Sequence, residues 1–572
     1  MQQSEFIEKI NGRLTAVYGD SLIRQDLKES LFERTERLKK DQTGQAEKWN
    51  EKDIILITYG DSILSSKEKP LKTLNAFINN RLQGSVSGVH ILPFFPYSSD
   101  DGFSVIDYLQ VNPELGDWEG IEKIAGEYAL MADLVINHVS SKSQWFRDFK
   151  KGVEPGRGFF IEADPETDLS AVIRPRSLPL LTGFDTAHGK KYVWTTFSAD
   201  QIDLNFANPE VLFEILNVLL FYFEKGVKIV RLDAIAFLWK EIGTSCLHLP
   251  QTHEVVRLMR EIAEYIDSRI IIITETNVPN KENLSYFGKG DEAHMVYQFS
   301  LPPLLLHALH TADSGHLTSW AKTLSEIPEG CTFFNFTASH DGIGVRPLEG
   351  ILPGDEIVKL TEAMKSYGGY VSTKRNSDGT DSPYEMNITY LDALKYTSLG
   401  RDDLQVERFI CSQTIMMSFK GIPAFYIHSL LGTHNHLEGV KKTGIPRAIN
   451  RKKWNTDELY DLLSADNEHS RILDELKRRM KIRGKIKAFH PDEKQETLDP
   501  DNSLFVLLRG DENELLVISN ITPEKTEFAF TEALSDFSDG KDLISGELAG
   551  SSKIILKPYQ VLWLQKNGVS RK

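Results

Sequence analysis

Three carboxylates stand where long apolar runs end. In "KIVRLDAIAF" (228–237), Arg231 and Asp233 interrupt a series that includes Ile229, Val230 and Leu232. "IIIITETN" (270–277) closes with Glu275, and "FTASHDG" (336–342) closes with His340 and Asp341. An unpaired carboxylate in a core costs several kcal/mol or is driven neutral. A helix-capping acid would account for any one of the three, but all three with cationic neighbours point to chemistry. Paired carboxylates suit retaining glycoside transfer. One attacks the anomeric carbon; the other protonates the leaving oxygen and then serves as base, with the carboxyls roughly 5–5.5 Å apart. Arg231 precedes Asp233 by two residues and shares its strand face. Its charge is expected to hold Asp233 ionised as a nucleophile.

These acids need a scaffold that brings strand ends together. Eight apolar runs follow in series: "DIILITYG" (53–60), "GVHILPFF" (88–95), "LMADLVINH" (130–138), "VKIVRLDA" (227–234), "RIIIITET" (269–276), "HMVYQFS" (294–300), "TFFNFTASHD" (332–341) and "IPAFYI" (422–427). Helix-like segments such as "PEVLFEILNVLLFYFEKG" (209–226) and "THEVVRLMREIAEYI" (252–266) separate most of them. Buried strands alternating with helices imply a parallel sheet, and eight of them a (β/α)8 barrel, an α/β fold with its chemistry at the C-terminal strand ends. A doubly wound sheet is the rival, but no glycine-rich phosphate turn follows the first strand.

The expected organisation is a helical extension (1–50), a catalytic barrel (51–138 and 206–484), an inserted B domain after strand three (139–205) and a small C-terminal β-domain (485–572). A second long insertion (342–400) follows strand seven. Insertions of this length in a compact domain are usually lids or binding loops.

The chain has 572 residues, 41% of them hydrophobic, and a formal net charge of −16. That charge argues against a nucleic-acid partner. Three scattered cysteines give no disulfide framework or zinc spacing. With no apolar signal core at the N-terminus and no membrane-spanning run, a cytoplasmic location is expected and a membrane partner is not.

The motifs "INH" (136–138), "VRLDA" (230–234), "ITETN" (273–277) and "ASHDGIG" (338–344) occur in the order of the α-amylase-type retaining glycoside enzymes, on the expected strands. "GVHILPFF", "RPRSLPLLT" (174–182), "KEIGTSC" (240–246) and "LPPLLLHAL" (301–309) resemble the sucrose-phosphorylase-like subfamily. The resemblance runs from about residue 50 to the C-terminus. It implies that Asp233 is the nucleophile, Glu275 the acid/base and Asp341 the acid that stabilises the oxocarbenium-like transition state. It implies a glucose subsite of Asp100, Phe103, His138, Arg231, His340 and Arg447. It also implies phosphate contacts by Arg174, Arg176 and Tyr384, since Arg pairs phosphate bidentately. No metal or other cofactor is implied; the partners are a small α-glucoside and inorganic phosphate.

Two positions depart from sucrose phosphorylases. Asn277 replaces a His two residues after the acid/base, and in "SPYEMNITY" (382–390) Glu385 replaces a Gln after Tyr384. The acceptor subsite, assigned to Asn277, Tyr384 and Glu385, is therefore expected to be rebuilt. Glucosylglycerol and glucosylglycerate phosphorylases resemble it in this style of loop. Lys374 and Arg375 would suit a glycerate carboxylate, but Asp378, Asp381 and Glu385 make the loop acidic and favour glycerol, with glycerate second. Sucrose or sucrose 6-phosphate phosphorylase, a hydrolase or transglucosidase on the same scaffold, and a catalytically dead carbohydrate-binding relative are the alternatives. The intact acids argue against the last.

Overall fold

The computed structural model describes residues 2–19, 23–40, 47–175, 178–324, 327–375, 380–550 and 552–566. Eight parallel strands close a barrel: β1 (Ile55–Thr58), β2 (Gly88–Ile91), β3 (Ala129–Val135), β4 (Ile229–Asp233), β5 (Ile271–Thr274), β6 (Met295–Tyr297), β7 (Thr332–Asn335) and β8 (Ile422–Tyr426). Each pairs with its neighbours in sequence, and β8 returns to β1. All eight expected runs supply a barrel strand. They are buried along almost their whole length, because barrel interior and helical layer cover both faces. β7 is shorter than its run and stops at Asn335, so His340 and Asp341 sit on a loop beyond the strand. At Gly88 a Cβ would lie 2.5 Å from Ile55 Cδ1 and 2.9 Å from the Ala129 carbonyl. β1, β2 and β3 approach there more closely than a side chain permits.

The helices start where local chemistry predicts. Asn208 caps Pro209–Glu224 by accepting from the Glu210 N–H, with Pro209 at the first position. Pro250 likewise opens Pro250–Ile266. The N-terminal segment forms two helices that clasp this outer layer. Gln3–Tyr18 stacks Phe6 on Tyr265 at 3.8 Å and pairs Arg13 with Glu254 and Glu261. Gln25–Leu38 sets Arg34 against Glu224.

The insertion after β3 carries helix Gln144–Lys151 and the hairpin Leu181–Thr186/Gly189–Trp194. The insertion after β7 carries helix Gly354–Ser366 and an antiparallel sheet of Ile343–Gly344, Asp381–Asn387 and Tyr370–Arg375. Near the C-terminus, Gln495–Thr497, Leu504–Arg509, Leu515–Asn520, Val561–Gln565 and Lys541–Asp542 form a five-stranded antiparallel sheet. It docks on helix Gln405–Ser418, where Trp563 Nε1 donates to Ser418 Oγ at 2.9 Å. The three cysteines are buried and free. No helix among the described residues is long and apolar enough to cross a membrane.

Candidate active site

Parallel register sets the first two acids side by side. Leu232 of β4 is level with Thr274 of β5, so Asp233 and Glu275 are next in line at the same height. The Glu275 N–H donates to the Leu232 carbonyl at 3.1 Å, and the Ala234 N–H donates to Glu275 Oε2 at 3.2 Å. Asp341 arrives from the loop after β7, its own carbonyl held by Asn450 Nδ2 at 2.8 Å. The three carboxylates line one cavity at the C-terminal mouth of the barrel. Asp100, Phe103, His138, His340, Arg447, Asn277 and Tyr384 line it too.

Arg231 lies beneath this floor. Its Nη1 donates to Asp233 Oδ1 at 2.6 Å, and its Nη2 is 3.8 Å from Glu275 Oε1. The same Nη1 also donates to Asp133, directly across the sheet on β3. His90 Nε2 lies 2.7 Å from the other oxygen of Asp133. The motif "VRLDA" is thus one end of a buried chain, His90–Asp133–Arg231–Asp233. Asp133 and His90 were missed as site residues. A charge inside "LMADLVINH" is the same signal that singled out Arg231.

Burial raises both the Asp233 and the Glu275 carboxyls, and Arg231 opposes the rise in both. Asp233 is in direct contact with Arg231 and Glu275 is not. The direct contact favours charge on Asp233 and a proton on Glu275. Burial also acts to raise Asp341, but the guanidinium of Arg447, at 2.6 Å, and that of Arg451 outweigh it and hold that carboxyl below the usual range. Burial holds His340 well below its ordinary pKa, so its ring is neutral. It stacks on Phe103 with centroids 4.7 Å apart and planes 6° from parallel. His138 is fixed from two sides, with Nε2 2.9 Å from the Phe103 carbonyl and Nδ1 3.2 Å from Asn137 Nδ2. Gln201, from the insertion after β3, also reaches His138 and Asp100.

Known proteins match along the chain. The family model "Alpha amylase, catalytic domain" matches residues 83–342. The glucosylglycerate phosphorylase of Escherichia coli (strain K12) is 46% identical over 566 residues, covering 98% of this chain and all of the relative. The chain belongs to the α-amylase family. Within it, the chain falls among the sucrose-phosphorylase-like glucoside phosphorylases, which are hexosyltransferases. A glucosylglycerol phosphorylase of Marinobacter adhaerens is 29% identical over 71% of this chain and 82% of its own length. The solved sucrose 6F-phosphate phosphorylase from Thermoanaerobacter thermosaccharolyticum aligns with a TM-score of 0.73 at 27% identity, covering 86% of this chain and 99% of that one.

In this α-amylase-family site one of the three residues expected on the acceptor side stands elsewhere. Glu385 does not line the cavity. It is 3% exposed, accepts from the Gly342 N–H at 2.6 Å, and grips Arg447 through Nε at 3.2 Å and Nη2 at 3.0 Å. Adjacent strand residues point to opposite faces. Tyr384 takes the cavity side, so Glu385 turns to the back and its charge is cancelled there. Lys374 is paired with Glu349 at 2.8 Å. Arg174 is partly buried and off the cavity wall, which its neighbour Pro175 reaches instead. Arg176 and Asp378 lie outside the described residues. Arg346, from "GIGVRPLEG", does line the cavity; nothing in its type or spacing marked it in the sequence.

Away from the mouth, His434, Glu468 and His469 bring ligand-type atoms within 4.8 Å of one another and could hold a metal ion. His434 is already paired there, with Asp392 at 2.6 Å and Glu468 at 2.9 Å.

Proposed function

We propose that this protein catalyses the reversible phosphorolysis of 2-O-α-glucosylglycerate to α-glucose 1-phosphate and glycerate, with net retention. Glycerate replaces glycerol as the expected acceptor. The observation that carries this is the near-full-length match, 46% to a glucosylglycerate phosphorylase against 29% to a glucosylglycerol phosphorylase. The position of Glu385 removes one of the three acids that favoured glycerol. Its carboxylate is bound to Arg447 and turned from the cavity, so it repels no anionic acceptor.

In the proposed mechanism Asp233 attacks C1 of the glucosyl unit. The C1–O bond to glycerate breaks, an ester to Asp233 forms, and the Glu275 proton passes to the departing oxygen. A phosphate oxygen then attacks C1 from the vacated side, the ester breaks, and Glu275 takes the phosphate proton. Asp341, held ionised by Arg447, stabilises the positive charge that develops on the ring. Phe103, His138, His340 and Asp100 bind the glucosyl hydroxyls and ring face. Arg176, with Tyr384, guides phosphate in this scheme. The barrel with its two insertions forms the catalytic unit in this reading.

The test is an acceptor panel. With α-glucose 1-phosphate as donor, initial phosphate release is compared for glycerate, glycerol, fructose and fructose 6-phosphate. Glycerate should lead in kcat/KM; any of the others leading refutes the reading.

A further inference from the structure

We infer that Arg346 is the anchor for the acceptor's carboxylate and sets the preference for an acidic acceptor over a neutral one. This rests on the glycerate reading above. The charges of the cavity wall decide it. Asp100, Asp233, Glu275 and Asp341 are all acids there, a field that suits a glucosyl cation but opposes an incoming anion. An anionic acceptor therefore needs a cation whose charge is not already matched. Arg231 is shared between Asp133 and Asp233. Arg447 is shared between Asp341 and Glu385. Lys374 is held by Glu349. Arg346 lines the same cavity, and its Nε is buried with no hydrogen-bond partner.

Its place is set by backbone. The segment Gly344–Arg346 touches both Asn277 and Tyr384, two of the three acceptor-side residues named from sequence. The Val345 N–H donates to the Tyr384 carbonyl at 2.9 Å. A Cβ on Gly344 would fall 2.8 Å from Asn277 Oδ1, so only glycine lets Asn277 lie this close. Arg346 then opens the short 3-10 turn Arg346–Leu348, pinned by Ser300 Oγ donating to the Pro347 carbonyl at 3.1 Å. Asn277 Oδ1 is also buried without a partner. The acceptor side thus presents an unsatisfied guanidinium donor and an unsatisfied amide oxygen. A carboxylate beside a hydroxyl satisfies both; a triol such as glycerol brings no charge for the first. Buried polar groups left unpaired in this way discriminate strongly against the ligand that lacks the matching group.

The test uses the full-length protein and its Arg346→Gln and Arg346→Lys variants. kcat/KM for glycerate and for glycerol is measured with α-glucose 1-phosphate, and phosphate dependence is measured separately in the phosphorolysis direction. Arg346→Gln should lower the glycerate-to-glycerol ratio about ten- to a hundredfold. Arg346→Lys should give an intermediate ratio, because it keeps the charge but loses the bidentate fork. The ratio is internal to each preparation, so partial loss of folded protein cancels. If the Gln variant yields no folded protein, the Lys variant supplies the same ratio. A wild-type preference for glycerate that survives in both variants overturns the anchor and leaves the proposed function standing. A higher phosphate requirement with an unchanged acceptor ratio also overturns it, by assigning Arg346 to phosphate alone. A wild type that prefers glycerol overturns both.

Discussion

Replacing Asp133 by Asn removes a carboxylate that touches neither the cavity nor, in the proposed mechanism, the substrate, yet it should move the pH–rate profile. Asp133 is fully buried and bonds the same Arg231 Nη1 that bonds Asp233. Two oxygens on one nitrogen lie within about 5 Å of each other. At an effective dielectric constant near 20, two charges at that separation repel by about 3 kcal/mol before relaxation. Asp133 raises both Asp233 and Glu275 by this repulsion. Removing it favours the ionised form of each. In the proposed mechanism Asp233 must be ionised and Glu275 protonated, so both limbs of the bell should shift to lower pH, the acidic limb set by Asp233 the more. Arg231 would lose its main ion-pair partner and its fixed position, so kcat should also fall, by about ten- to a hundredfold. The assay is the pH dependence of kcat/KM with an aryl α-glucoside, whose own ionisation does not intrude. A drop in kcat with unmoved limbs would show that Asp133 acts through packing alone. Unchanged kcat and unchanged limbs would show that Arg231 needs no second carboxylate, and the buried chain would lose its assigned role.

Asp233→Ala should abolish transfer in both directions, since no glucosyl ester can form, and NMR of the wild-type product should show the α-anomer; turnover by the variant or a β product would sink the double displacement. His434 gives a stability prediction. Hydrogen bonding to Asp392, with smaller contributions from Glu468, pushes its pKa up to about 9 against an ordinary 6.5. A raised folded pKa stabilises below about pH 6.5, and the benefit is lost as pH climbs through about 9. The Tm advantage of wild type over His434→Gln should therefore shrink steadily from pH 6.5 to pH 9.5, and an advantage that grows over that range would contradict the assignment. The effect should be modest, because the side chain is 41% exposed and solvent screens the pair.

The barrel was legible in the sequence because each strand is buried on both faces and so must be apolar over consecutive residues. The mouth was legible for the converse reason. A charge at the end of such a run is costly unless it is used, and Asp233, Glu275, His340 and Asp341 all stand there. By that logic Asp133 was within reach as well, but its partner was not. That Asp133 faces Arg231 is a matter of register between β3 and β4, which lie almost a hundred residues apart in the chain. Near Tyr384 and Glu385 the alternation of a strand requires one to face away from the cavity, and sequence carries that alternation without its phase. The phase comes from tertiary pairing. Residues 343–344 pair with 385–386, and Arg447, itself on the cavity wall, reaches Glu385 and neutralises the acid that turns from the cavity. Arg346 shows the same limit from the other side. In the chain it is one arginine among many basic residues; in the fold it is a wall residue whose neighbours leave its Nε unpaired. Composition and periodicity determined which residues had to be buried and which charges needed a reason. Only the closing of the barrel decided which of those charges cancel one another and which remain open to a ligand, because cancellation depends on distances between residues remote in sequence.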